Sequence, residues 1–137
     1  MASRCLETQL GVAGRIGEIA ALKVEDLDLD NHVSPRVNIT ATVITPVGEK
    51  HSRQLHTQDG VDGPRTVIIH EWLVLILRNR ALLAGQSGLL FASRNDELLD
   101  PHTMRESWRH IQEAARLGGM TPHHIRKTAL SKISQVF

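Results

Sequence analysis

RTVIIHEWLVLILRNRALLA, residues 65–84, is the stretch whose reading sets the fold class. Its first five residues, Arg65 to Ile69, are rich in β-branched side chains, which are stiff at χ1 and suit an extended, pleated backbone. From Glu71 to Ala84 the composition turns to Leu, Ile, Arg and Ala, and this predicts a helix. Apolar residues surround most of its first two turns, so the helix reads as mostly buried. Gly85 and Gly88 then end it. A strand thus hands over directly to a helix after a one-residue joint, His70.

Upstream, Val37 to Pro46 (VNITATVITP) alternates and is again β-branched, predicting one strand. Gly48 supplies a turn, residues near Arg53 to His56 pair back, and Thr57 to Pro64 (TQDGVDGP) is dense in turn formers. The middle of the chain is therefore a small antiparallel sheet. Before it, Arg15 to Lys23 (RIGEIAALK) places Ile16, Ile19, Ala20 and Lys23 at helical spacing, with Gly11 and Gly14 loosening the entry. VEDLDLDNHVSP reads as a polar, turn-rich link. Downstream, Leu89 to Phe91 is a short extended piece. Asp100 and Pro101 form a cap-plus-proline helix start, and that helix runs to about Leu117 with Met104, Trp108, Ile111 and Ala115 as its buried stripe. Thr121 and Pro122 repeat the start for a last helix lined by Ile125, Ala129 and Ile133. The order is helix, sheet, then helices, a mostly helical α+β chain with a small antiparallel β-sheet.

The chain has 137 residues, 41% hydrophobic and 23% charged, which suits one soluble domain with one core. The aromatic share is 3%, so the core rests on Leu, Ile, Val and Ala. A formal net charge of +1 gives no bulk support to nucleic-acid binding. Locally, Glu25, Asp26, Asp28 and Asp30 form an acidic stretch read as solvated surface, and the balance turns basic after Asp100. Cys5 is the single cysteine, which excludes an internal disulfide and makes an intracellular, cytoplasmic setting the default. No apolar run is long enough to span a bilayer, so no membrane partner is expected. Gly-rich phosphate loops, nucleophile elbows and metal-spaced clusters are lacking, and neither a metal nor a small-molecule cofactor is expected. His123 and His124 are adjacent, which suits no common metal geometry on a helix, and His102 and His110 read as surface residues.

Two segments could carry chemistry. In TPHHIRKTALS, Thr121 to Ser131, His123 and Arg126 lie three apart near a helix start and point to one side. A guanidinium forking two oxygens beside an imidazole donor makes a phosphate site. In GRIGEIAALKVEDLDLD, Gly14 to Asp30, Arg15 follows a glycine turn at the front of a helix and Glu18 sits one turn on. Taken alone, each segment also fits an ordinary polar helix face, the second with a surface Arg15–Glu18 pair worth under ~1 kcal/mol.

Together and in this order, the two segments resemble the catalytic domain of the phage-integrase, or tyrosine recombinase, family. Gly14 to Asp30 is similar to that family's first arginine box, and Thr121 to Ser131 to its H-x-x-R box. HTQDGVDGPRTVIIHEW, from His56, resembles its β-hairpin and exit strand, and LLFASRNDELLDPHTMRESW its Phe-containing strand, polar turn and helix. The resemblance implies that Arg15 and Arg126 clamp the scissile phosphate of double-stranded DNA, with His123 beside it handling protons, and that Glu18 is structural. Planar bidentate donors suit a phosphodiester that gathers charge on two non-bridging oxygens.

The chain also departs from the pattern. The family's hairpin lysine is expected just after His56 and Thr57, where Gln58 stands. Lys50 lies earlier in the hairpin and fits only in a different register. The sequence contains no tyrosine, so the family's nucleophile is missing, and nothing places Ser131, Ser134 or Cys5 to replace it. The expectation is residues 1–137 as a partial catalytic domain without the flanking core-binding domain and the C-terminal tyrosine segment. It would be marginally stable and linked to DNA integration and recombination, but catalytically incomplete. The alternatives are a protomer that binds and modulates a full-length recombinase, a fragment without a role, and an unrelated α+β domain.

Overall fold

The computed structural model describes residues 2–31, 33–56 and 63–114. The expected last helix, Gln58 and the H-x-x-R segment with His123 and Arg126 lie outside these residues.

Helix α1, Ala2–Val12, precedes everything the apolar pattern pointed to. Cys5, Thr8, Gln9 and Val12 are its buried positions, a proper helical stripe but half polar, which is why hydrophobic periodicity passes over it. The two polar members are satisfied locally: Thr8 donates to the carbonyl of Arg4 at 2.8 Å, and Gln9 donates to the carbonyl of Gly14 at 3.1 Å. The helix stops at Ala13, which adopts a left-handed conformation with φ of 54°. Helix α2, Ile16–Ala20, is shorter than the helix expected over Arg15 to Lys23. A 3₁₀ turn, Val24–Asp26, follows it.

The expected strand over Val37 to Pro46 is two strands. The buried alternation Val37, Ile39, Ala41, Val43 runs on without a change of phase, but the hydrogen-bonding partner changes at Thr40. Strand β1 (Leu27–Asp28), β2 (Arg36–Ile39) and β5 (Arg65–Ile68) form one antiparallel sheet in the order β1-β2-β5, with Val37 opposite Val67 and Ile39 opposite Arg65. Strands β3 (Ala41–Ile44) and β4 (Ser52–Leu55) form a separate hairpin, with Ala41 opposite Leu55 and Ile44 opposite Ser52. Side-chain period reports which face is buried, not which strand is the neighbour. The pairing back of Arg53 to His56 is therefore observed, and the middle of the chain holds two small antiparallel sheets.

The link after α2 is less solvated than its composition suggests. It donates strand β1 to the sheet, and Asp26 is buried. Asp26 accepts from the Lys23 backbone at 2.9 Å, from Thr40 at 3.1 Å and from Arg53 at 3.2 Å, while Arg53 also donates to the carbonyl of Ala21 at 2.7 Å. This network ties α2, its exit and the β3–β4 hairpin together.

Helix α3, Glu71–Leu83, starts where expected and ends one residue short of Ala84, but does not have the expected burial. Leu73, Val74 and Leu77 face the core, while Trp72, Leu75, Leu82 and Leu83 are exposed within a single arc of the helix surface. Helix α4, Pro101–Ala114, starts as expected: Asp100 accepts from the His102 backbone at 2.9 Å, which meets one of the orphan donors of the first turn. Trp108 is buried, and Met104 packs against the core.

Most of the core lies in one cluster, where Cys5 and Val12 of α1, Ile19 and Leu22, Val37 and Ile39 of β2, Leu73 and Leu77 of α3, and Leu90 and Phe91 meet. Arg80 caps it from the side, donating to the carbonyl of Leu90 at 2.8 Å with its guanidinium 5.3 Å from the Phe91 ring centre. A second cluster of Ala20, Ala21, Ala41 and Val43 glues α2 to β3. The small side chains there let the helix and the strand approach closely, and Gly17 marks the tightest point: a Cβ on it would stand 2.6 Å from Thr42 Oγ1 and 3.3 Å from the carbonyl oxygen of Val43.

Candidate phosphate-binding site around Arg15

Arg15 sits at the entry to α2 with an extended backbone, φ −79° and ψ 153°, and its side chain is exposed. The turn that delivers it is held from behind, because Gln9 grips the carbonyl of Gly14. Its own backbone N–H donates to Glu18 Oε1 at 2.8 Å, the arrangement in which a residue three places into a helix reaches back to its start.

Glu18 is not the surface partner of the Arg15 side chain that the sequence suggested. It is 2% exposed, and its carboxylate gathers donors from three parts of the chain. Arg65, at the start of β5, forks it with both terminal nitrogens, each at 2.8 Å. His56, just past β4, contacts Oε2 through Nε2 at 2.9 Å. Burial alone would push the Glu18 carboxyl up, but the Arg65 fork, the Arg15 N–H and the His56 contact outweigh it and bring the pKa down to about 2. Glu18 is therefore ionised at neutral pH and acts only as an acceptor. The hub joins α2, the end of the β3–β4 hairpin and the β2–β5 sheet beneath the exposed Arg15. The resemblance marks Glu18 as structural and leaves Arg65 and His56 unassigned. The one available signal was that both flank the turn-rich segment 57–64, but nothing in the spacing assigns them to Glu18.

Other candidates are placed elsewhere. Lys50 lies in the turn between β3 and β4 and lines a cleft of about 690 Å³ with Lys23, His51, Arg53, Asp96 and Glu97. Six residue steps separate it from His56, roughly 20 Å of extended chain, so it stands at the far end of the hairpin from the Glu18 hub. Cys5 is buried in the core and its thiol is pushed up to about 12 by that burial, which denies it a nucleophile's role. His102 is exposed and faces Glu106 at 3.3 Å, as a surface pair. Among the described residues, no group of three or more His, Cys, Asp or Glu side chains could hold a metal ion, and no helix is long and apolar enough to cross a membrane.

The family model described as the phage integrase family matches residues 2–135. A sequence search of curated proteins gives no match. Among solved structures, the fold is similar to that of the Tn1549 transposon integrase in complex with transposon right-end DNA, at TM-score 0.78 and 15% identity over 97% of this chain and 46% of that one. It is also similar to XerA recombinase, at TM-score 0.66 and 22% identity over 96% of this chain and 47% of that one. A third likeness is to the XerH site-specific recombinase bound to difH substrate in a pre-cleavage complex, at TM-score 0.63 and 18% identity over 98% of this chain and 35% of that one. The chain spans less than half the length of each of these chains.

Proposed function

This chain belongs to the phage integrase family, and from that premise we propose that residues 1–137 form a catalytic-domain unit of a site-specific recombinase. It binds double-stranded DNA in the cytoplasm, in the setting of DNA integration and recombination. The observation that carries the reading is the placement of Arg15: an exposed guanidinium at the start of α2, on a backbone anchored to the buried Glu18. With its backbone fixed in advance, only the Arg15 side chain remains to be ordered when it meets a backbone phosphate. On this reading Arg126 and His123 complete the phosphate clamp. Gln58 stands at the general-acid position and cannot give up a proton. With no tyrosine among its 137 residues, this chain positions a phosphate but does not cut the strand by itself.

The test is fluorescence anisotropy with a labelled duplex at several salt concentrations. Arg15→Ala is expected to weaken binding about tenfold at low salt and to reduce the salt slope by about 1, as loss of a single phosphate contact requires. Supercoiled plasmid incubated with the chain stays un-nicked. Equal affinity and slope for the variant, or a duplex that does not bind at all, would overturn the reading.

A second reading is that the chain pairs with another integrase protomer. It is favoured by the exposed stripe of Trp72, Leu75, Leu82 and Leu83 on α3, apolar surface of a kind that marks interaction sites. Co-purification with an intact recombinase, lost when Trp72 and Leu75 are both replaced by Glu, distinguishes this from DNA binding alone.

A further inference from the structure

Helix α3 is apolar on two sides, and the core covers one of them. Leu73, Val74 and Leu77 are buried. On the other side Trp72, Leu75, Leu82 and Leu83 are 40%, 68%, 85% and 65% exposed. A helix that is apolar all round has two faces to cover. The outer face is also ordered. Trp72, Leu75, Asn79 and Leu82 follow one another in steps of three, four and three, the spacing of a helix-pairing seam, and Asn79 is exposed like the others. Glu71 and Arg78, both exposed, lie two turns apart and so fall on the same flank of that seam. Beside this flank runs a groove of about 430 Å³, lined by Leu29, Val33, Pro35 and Leu75 together with Glu71 and Arg78. Arg78 is held there by donating to the carbonyl of Leu29 at 3.0 Å, and its contact with the fully exposed Asp30 is loose at 4.0 Å.

We propose that this face is an interface between two copies of the chain, whose α3 helices pack in reverse orientation across a two-fold axis. The inference rests on the protomer-pairing reading given above and deepens it by naming the partner. What selects a second copy is charge. A two-fold contact uses the same patch on both sides, so the patch must complement itself. Glu71 and Arg78 meet that demand in one orientation. With the helices parallel, Glu71 comes beside Glu71 and Arg78 beside Arg78, and the flank repels itself. With the helices reversed and Trp72 of one copy over Leu75 of the other, Glu71 comes beside the partner's Arg78, and the pair occurs twice. Trp72 then stands near the centre of the contact, where a large aromatic anchor contributes most. Asn79, polar on an otherwise apolar seam, disfavours slipped registers. The groove beside the flank gives the second copy's side chains somewhere to enter.

Sedimentation velocity of the intact chain over a range of concentrations tests this. The wild type is expected to be dimeric at about 100 μM and to dissociate on dilution. The double variant Trp72→Glu, Leu75→Glu should be monomeric with the circular dichroism of the wild type. Charge reversal tests the orientation without touching the apolar seam. Glu71→Arg and Arg78→Glu each turn two attractions into two repulsions, and each should weaken pairing about tenfold. Mixed in equal amounts, the two single variants should pair with each other at close to wild-type strength, because every charged contact between them again joins opposite signs. A mixture no stronger than either variant alone overturns the inference, and so does a dimer that survives the Trp72 and Leu75 changes. A wild type that stays monomeric also overturns it. The broader pairing reading then stands if the chain still co-purifies with an intact recombinase and the Trp72 and Leu75 changes abolish this; if it does not co-purify, both fall together.

Discussion

Glu18 is the residue on which the local architecture depends most. Its carboxylate is buried, fully bonded, and the common anchor of three donors separated widely in sequence. Glu18→Gln keeps the shape but removes the buried charge that Arg65 and His56 are arranged around, leaving the partly buried Arg65 guanidinium without its counter-ion. Breaking a buried pair from one side costs about 3 kcal/mol or more, and urea denaturation is expected to show a loss of that order with an unchanged m-value. The pH dependence has a definite sign. Glu18 is lowered from 4.5 to about 2 on folding, so its contribution is complete above pH 4.5 and is lost as pH falls toward 2. Acid titration of the wild type should show a destabilising limb in that window that Glu18→Gln lacks; identical limbs would mean that the hub is not the acid-sensitive element.

At the scale of elements, the contact between α2 and the β3–β4 hairpin determines how Arg15 is presented. Helix α2 has five residues and is far too short to be stable alone. It is held by the cluster of Ala20, Ala21, Ala41 and Val43, by the Arg53 bond to the carbonyl of Ala21, and by the absence of a side chain at Gly17. Gly17→Ala is therefore expected to destabilise, although alanine is the better helix former. The new methyl meets Thr42 and the Val43 carbonyl, and prising the helix off the strand costs about 1–3 kcal/mol. Thermal melting of Gly17→Ala against the double variant Gly17→Ala, Thr42→Gly checks the mechanism: removing the Thr42 hydroxyl should recover part of the loss, and no recovery would place the strain elsewhere.

For the molecule as a whole, the single cysteine is a reporter of how firmly α1 is docked. Cys5 lies in the main cluster and lines a small apolar cavity of about 100 Å³ where α1 and α2 meet Met104 and Trp108 of α4. Burial pushes its pKa up to about 12, so both access and thiolate are scarce in the folded state. Reaction with an aromatic disulfide at about pH 8 should run at least about a hundredfold slower than in denaturant. A rate near the denatured one would show that α1 is loosely held, and with it the Gln9 bond that fixes the turn before Arg15.

Much of the fold is legible in the sequence. The β-branched run from Arg65, the helix from Glu71 and the Asp100 cap follow from side-chain stiffness, periodicity and the demands of a helix end, all short-range causes that a few neighbouring residues express in full. The position of Arg15 at a helix start belongs with them, and so does the family, which the order of several weak motifs conveys. What tertiary structure alone decided is the partnership. Helix α1 needed a core to make Thr8 and Gln9 count as its inner face. The run from Val37 to Pro46 needed neighbours before it could become two strands, since its alternation is the same in either case. Glu18 lies 38 residues from His56 and 47 from Arg65. No local rule couples residues so far apart; only the closing of the hairpin against α2 brings their charges together where water is excluded.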